Sequence, residues 1–216
     1  MLPLRLPNKS GPLEVLCIGA HSDDIEIGCA ATLLGLVERG HRLRVTWVVL
    51  SAADERAQEA RRSADDLFSG SAELSLLVGE FRDAYFPACF AALKDHFADL
   101  RSYIDPDIVF THCIDDRHQD HRLVAELTWQ AWRDHIILEY EVPKYEGDLG
   151  RPNLFVPASR TAAQAKVSHL LKHFGSQRSK SWFSDQTFFG LMRLRGIECR
   201  SASVFAEAFV ARKLLL

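Results

Sequence analysis

The sequence predicts a Rossmann-like α/β fold, with a mainly parallel sheet and helices on both faces. Three observations point to it. Short apolar runs alternate with stretches of helical periodicity, the pattern of repeated strand–helix units. A length of 216 residues suits one domain, taken as residues 1–216, large enough to cover both faces of a sheet. The densest polar chemistry directly follows two of the strand-like runs, at strand carboxyl ends, where an open α/β sheet forms its crevice.

Leu13 to Ala20 reads as the first strand, and Gly28 to Arg39 as the helix after it. In that helix Ile27, Ala30, Ala31, Leu34 and Val37 share a face, and Gly40 ends it. Leu43 to Leu50 is the second strand. Asp54 to Phe68 is an amphipathic helix with Ala57, Ala60, Ala64, Leu67 and Phe68 on one stripe, leaving Arg56, Glu59 and Arg62 to solvent or a cleft rim. Leu74 to Val78 is a short strand, Ala91 to Tyr103 a helix, and Asp107 to His112 a strand introduced by the turn-forming Asp105-Pro106. From Asp120, the spacing of Leu123, Val124, Leu127 and Ala131 predicts a helix whose N-terminal end carries His118 and His121. Ile136 to Val142 reads as a further strand, Pro143 to Pro157 as a long loop, and Thr161 to Phe174 as a helix. From Arg195 onward only an imperfect alternation over Val204 to Val210 can be read.

Composition excludes several classes. Hydrophobic residues at 47% and charged residues at 25% are the balance of a globular protein, and a net charge of −3 gives no basic surface for nucleic acid. No signal peptide and no integral membrane segment is evident, so a cytoplasmic location is expected. The five cysteines are scattered without a Cys-x-x-Cys pair and read as reduced packing residues, Cys113 beside His112 included. Self-association into a homo-oligomer is left open.

Two clusters carry the chemistry. Gly19 to Gly28 places His21 and the adjacent Asp23 and Asp24 after the first strand; Asp116 to His121 follows another strand about a hundred residues later. Imidazole and carboxylate groups converging from two strand ends would form an open divalent-metal site with a position left for water. Taken singly, Asp23 or Asp24 would read as a helix N-cap and His121 as a first-turn surface residue. The joint arrangement favours a metal-dependent hydrolase.

These clusters also resemble a family, the PIG-L/LmbE-like N-acetylglucosaminyl deacetylases. The family motifs Ala-His-Pro-Asp-Asp-x-Glu and His-x-Asp-His read here as Ala20-His21-Ser22-Asp23-Asp24-Ile25-Glu26 and His118-Gln119-Asp120-His121. Further likeness lies in Arg56-Ala57-Gln58-Glu59, Pro143 to Asp148, His173 to Gln177 and Ala206-Glu207-Ala208-Phe209, so it spans most of the chain. Ser22 departs from the family's Pro, freeing the backbone between two site residues and adding a hydroxyl.

The resemblance implies a zinc ion held by His21, Asp24 and His121, Asp23 as general base, and His118 facing the substrate carbonyl with Asp120 orienting it and favouring its proton. Residue chemistry agrees. Such ligands suit Zn2+, with Fe2+ a second choice set by availability, and a carboxylate beside an imidazole raises its proton affinity. The resemblance puts a basic side chain of the Arg-x-x-Glu helix at the pocket rim, making Arg56 the first candidate and Lys144 the second for substrate hydroxyls. Tyr145 and Trp182 are candidates for stacking on a sugar ring, and His112 reads more readily as a hydrogen-bonded structural histidine than as part of the centre. The expected substrate is a small N-acetyl sugar or sugar conjugate. The alternatives are a metal-dependent amidase or phosphoester hydrolase on another substrate, and a catalytically inactive Rossmann-like binding module. Against the last, no Gly-x-Gly-x-x-Gly loop follows the first strand.

Overall fold

The computed structural model describes residues 3, 4, 6 and 10–215 and arranges them around a seven-stranded sheet. The strands are β1 (Leu13–His21), β2 (Leu43–Ser51), β3 (Glu73–Val78), β4 (Ile108–His112), β5 (Ile136–Tyr140), β6 (Leu154–Ala158) and β7 (Phe205–Val210), in the spatial order β3-β2-β1-β4-β5-β7-β6. β1 to β5 pair in parallel; β7 runs antiparallel to both β5 and β6. The helices are α1 (Asp24–Glu38), α2 (Asp54–Phe68), α3 (Phe90–Tyr103), α4 (Gln119–Ala131), α5 (Arg160–His173) and α6 (Asp185–Glu198). The sheet is thus mainly parallel. Residues 1, 2, 5, 7–9 and 216 of the expected 1–216 domain lie outside the described residues.

Side chains alternate across a strand, and along β1 this divides the core in two. Val15 and Cys17 join an apolar cluster that includes Ile25 of α1, Ala60 of α2, Val167 of α5 and Met192 of α6. Leu16, Ile18 and Ala20 point the other way, against Leu93 and Phe97 of α3 and Val124 of α4. Helices therefore cover both faces, as the periodicity predicts.

From β1 the chain moves outward through β2 and β3, then returns to β4 on the other side of β1. That reversal opens a crevice beyond the carboxyl ends of β1 and β4. His21 and His112 are the last residues of those two strands.

Two boundaries differ from the sequence expectation for identifiable reasons. Helix α1 begins at Asp24, so Gly28 lies inside it. A Cβ at Gly28 would stand 2.3 Å from Tyr140 Cγ, so this glycine serves close helix–strand packing. The expected loop over Pro143 to Pro157 contains the start of β6, whose Pro157 is tolerated because β6 is an edge strand. The imperfect alternation over Val204 to Val210 falls on β7, and residues 175–194, for which no element was read, carry most of α6, which opens on a Ser184 side chain that accepts from Thr187 N. Its face carries Leu194 and Ile197 exposed, which blurs the periodicity that would have announced it.

Candidate metal centre

The turn between β1 and α1 is almost wholly buried: His21, Ser22, Asp23, Asp24 and Glu26 are each no more than 6% exposed. Asp24 uses Oδ2 to accept the His21 backbone N–H at 2.7 Å. Asp23 occupies the N-cap position of α1 yet makes no side-chain capping bond, and its buried Oδ2 has no hydrogen-bond partner among the described residues. An aspartate in that position normally earns its place by capping. This carboxylate is instead left with a lone pair unused by the described residues.

Buried side chains behind α1 brace this turn. Lys166 Nζ donates to Ile27 O and pairs with Glu207, both at 2.5 Å. The Glu207 carboxylate in turn accepts the N–H groups of Ala31 (3.1 Å) and Thr32 (2.7 Å) inside the helix.

The turn between β4 and α4 supplies the opposite wall. His118 is the N-cap of α4, its Nδ1 accepting from Asp120 N at 3.3 Å. Asp116 Oδ1 accepts from His118 N (2.7 Å), and its Oδ2 lies 3.0 Å from His121 Nδ1. That contact directs His121 Nε2 toward the first wall.

His21 Nδ1 is 3.1 Å from His121 Nε2; Asp24 Oδ2 is 3.4 Å from His21 Nδ1, and Asp24 Oδ1 is 3.4 Å from His121 Nε2. Donors about 2.0–2.1 Å from a tetrahedral zinc stand roughly 3.3–3.4 Å apart, since a tetrahedron's edge is about 1.63 times its centre-to-vertex distance. The separations are of that order, although Asp24 meets the two imidazoles through different carboxylate oxygens; among the described residues, donor atoms within 4.8 Å of one another come from His21, His118 and His121 and from Asp24, His112 and His121, imidazole and carboxylate sets that suit a divalent ion.

The electrostatics reflect this crowding. Burial opposes the charge of Asp24, but His121, His112 and His21 outweigh it and hold its carboxyl well below the usual range. Burial likewise disfavours the His21 proton, yet contacts with Asp120, Asp24 and Asp83 raise its pKa well above that of a free imidazole. Asp23 moves upward, through burial first and the Asp24 charge second, against the pull of Arg56 and His21. A buried carboxylate with increased proton affinity is a better base.

Asp120 does not hold the His118 ring through its carboxylate, and the expected pairing is corrected. Its Oδ2 accepts from Ala84 N (2.7 Å) and lies 3.3 Å from His21 Nε2, while its Oδ1 accepts from Phe86 N (3.1 Å). Ala84 has φ +66, a left-handed conformation costly for a residue with a Cβ, so this carboxylate stabilises a strained turn. The turn places Asp83 Oδ1 2.9 Å from His21 Nε2. Burial first and then the neighbouring His121 and His21 lower the His118 pKa, outweighing the charges of Asp120 and Asp24, which raise it.

Lys144, a candidate for substrate, is paired within the fold. Its Nζ is spent on Asp148 (2.8 and 2.9 Å) and Asp116 (3.0 Å), with the side chain only 8% exposed, so it supports the carboxylate that orients His121. Arg56 is partly buried beside the first wall: Nη1 meets Asp83 Oδ2 at 2.8 Å, Nε donates to Ser22 Oγ at 3.3 Å, and Nη2 is 3.9 Å from Asp23 Oδ1. Ser22 thus gives Arg56 a partner that proline cannot. Glu59, one turn on, accepts from Ser176 N (2.9 Å) and Ser176 Oγ (2.6 Å), tying α2 to the turn after α5.

His112 is fully buried, with Ala20 N donating to its Nε2 at 3.0 Å, yet the same nitrogen lies 3.1 Å from Asp24 Oδ2. Together with Asp24 and His121 it belongs to a group whose donor atoms lie within 4.8 Å of one another. Burial and the His121 charge lower its pKa to about 4. Cys113 is partly buried, and burial with Glu139 and Glu141 nearby pushes its thiol up, as suits a packing residue. Tyr145 is 69% exposed, and Trp182 packs against the core. The sequence reading missed Asp116 and Asp83; a carboxylate two residues before His118 was a visible signal for the first, and nothing local marks the second.

Residues 16–132 match the family described as PIG-L, GlcNAc-PI de-N-acetylase. An uncharacterized deacetylase of Escherichia coli K12, YaiS, is 29% identical over 171 residues, covering 74% of this chain and 89% of its own. Among solved structures, N,N'-diacetylchitobiose deacetylase from Pyrococcus horikoshii is similar with a TM-score of 0.65 at 20% identity, covering 91% of this chain and 82% of that one. GalB, the 4-carboxy-2-hydroxymuconate hydratase from Pseudomonas putida, reaches 0.72 at 18% identity, with 94% and 98% covered. At these identities the structures share a fold, and that fold carries both a deacetylase and a hydratase.

Proposed function

The chain belongs to the PIG-L family of deacetylases, and on that premise we propose that it is a zinc-dependent hydrolase removing the acetyl group from an N-acetylated sugar or sugar conjugate. The observation that carries this reading is the unpartnered buried Oδ2 of Asp23 beside two imidazoles and a carboxylate at metal-ligand spacing. His21, Asp24 and His121 would hold the ion. When bound, it would polarise an amide carbonyl and lower the pKa of an adjacent water.

The remaining steps belong to this chain's own residues. Asp23 takes the proton from the attacking water, its proton affinity raised by burial, and passes it to the leaving nitrogen as the C–N bond breaks to give acetate and free amine. Because His118 Nδ1 accepts from Asp120 N, the neutral ring carries its proton on Nε2. His118 therefore donates a hydrogen bond from Nε2 to the tetrahedral oxyanion without needing to be cationic. Arg56 and Asp83, paired at the cleft rim, offer a donor and an acceptor for sugar hydroxyls. Asp120 acts through the Ala84 turn and Lys144 through Asp116. No helix among the described residues is long and apolar enough to cross a membrane. The five cysteines are free, as a cytoplasmic setting would leave them.

The test is a panel of N-acetyl sugars, nucleotide sugars and lipid-linked sugars assayed for acetate and free amine with metal-replete and chelated protein. Acetate and amine should appear in equal amounts, only with metal. Asp23→Asn should retain the metal and lose about three orders of magnitude in turnover. Turnover of phosphoesters alone, or hydration without acetate release, would overturn the reading.

A further inference from the structure

We propose that Asp66, His169 and His173 form a second site for a divalent cation of the zinc type, sharing no residue with the centre between β1 and β4. His169 and His173 lie four residues apart on α5 and so share one face of it, while Asp66 comes from α2. His173 Nε2 is 2.7 Å from Asp66 Oδ2, the two imidazole rings stand 4.4 Å apart, and one donor atom from each of the three residues lies within 4.8 Å of the others.

A second feature marks His169 as prepared for a ligand. Its Nε2 is held by Ser63 Oγ at 2.8 Å, and that hydroxyl donates to the fully buried Glu26. Metal-binding imidazoles characteristically have the nitrogen away from the ion tied to a hydrogen-bond partner in this way, which sets the ring and leaves the other nitrogen to coordinate. A ring nitrogen of His169 lies within 4.8 Å of the donor atoms of Asp66 and His173. Lys172 pairs with Asp66 Oδ2 at 2.6 Å and competes for it, but its side chain is 65% exposed and turns into solvent at little cost. Two imidazoles and a carboxylate suit Zn2+, Co2+ or Ni2+ over Mg2+ or Ca2+.

An ion there would clamp α2 to α5. Helix α2 carries Arg56 and Glu59, and α5 carries Lys166, which holds α1. The site would therefore brace the helices behind the first centre rather than take part in chemistry.

The experiment is equilibrium dialysis of tag-free protein against micromolar Zn2+, followed by metal analysis. Asp66→Asn and His173→Ala should each bind one equivalent less than the wild type, and His21→Ala should still lose an equivalent when His173→Ala is added. Ser63→Ala should weaken this equivalent about tenfold. Since Asp66 is exposed, its variant tests the site without disturbing the core. Unchanged stoichiometry in both Asp66→Asn and His173→Ala, or an equivalent that appears only at millimolar Zn2+, would overturn the proposal. The outcome does not depend on whether acetate is released, because the site is read from metal content alone.

Discussion

Ser22, Asp23, Asp24 and Glu26, which follow β1, are 0–4% exposed, whereas His118 and Gln119 after β4 are half-buried and Arg117 beside them is exposed. Both turns join a strand to a helix at the same crevice, but they are supported differently. The first rests on the buried pair Lys166–Glu207 and on Gly28 packed against Tyr140. The second rests on contacts with a loop: Lys144 on Asp116, and Asp148 Oδ2 accepting from Arg117 N at 2.6 Å. In the proposed reading the buried turn carries the proton acceptor Asp23, and the more accessible turn carries the donor His118 that meets an incoming substrate. A base gains from desolvation; a group that greets substrate must be reachable.

The largest effect should come from removing the support of the buried turn. Glu207→Ala leaves Lys166 charged and unpaired and frees the N–H groups of Ala31 and Thr32, costing about 3–5 kcal/mol in denaturant unfolding. A stability within experimental error of wild type would remove the distinction between the two turns. Next, His118→Ala should lower kcat about a hundredfold, ~2.7 kcal/mol, with the metal content unchanged. Loss of metal in that variant would make His118 a ligand and place both turns on the same footing. The smallest effect sharpens the account of Lys144. Lys144→Met should weaken metal affinity about tenfold, ~1.4 kcal/mol, with Lys144→Arg recovering part of it. A rise in KM with metal affinity unchanged would return Lys144 to the substrate.

Much of the fold was legible because strands and amphipathic helices are written in local periodicity. Helix α2 begins and ends where the stripe of Ala57, Ala60 and Ala64 predicts. Legibility failed where a distant contact overrode local preference. Gly28 reads as a helix start until Tyr140 is placed against it, and Pro157 reads as loop until β6 is placed at a sheet edge. Within the candidate site, His21, Asp23, Asp24, His118 and His121 do meet around one crevice. Their chemical roles remain those proposed above, for the metal and proton-transfer tests to decide.

The sequence by itself determined the class of fold, the two strand ends that carry chemistry, and the residue types available there, because spacing and side-chain identity are local properties of the chain. Tertiary structure decided which partner each charged group received. It turned Asp120 from His118 to the Ala84 turn and His21, gave Lys144 to Asp116 and Asp148, brought Asp83 onto His21 and Arg56, and joined Glu59 to Ser176. A carboxylate or ammonium in a crevice must find a partner among whatever groups the fold desolvates with it. Those groups come from segments far apart in the chain, so no local pattern records the choice.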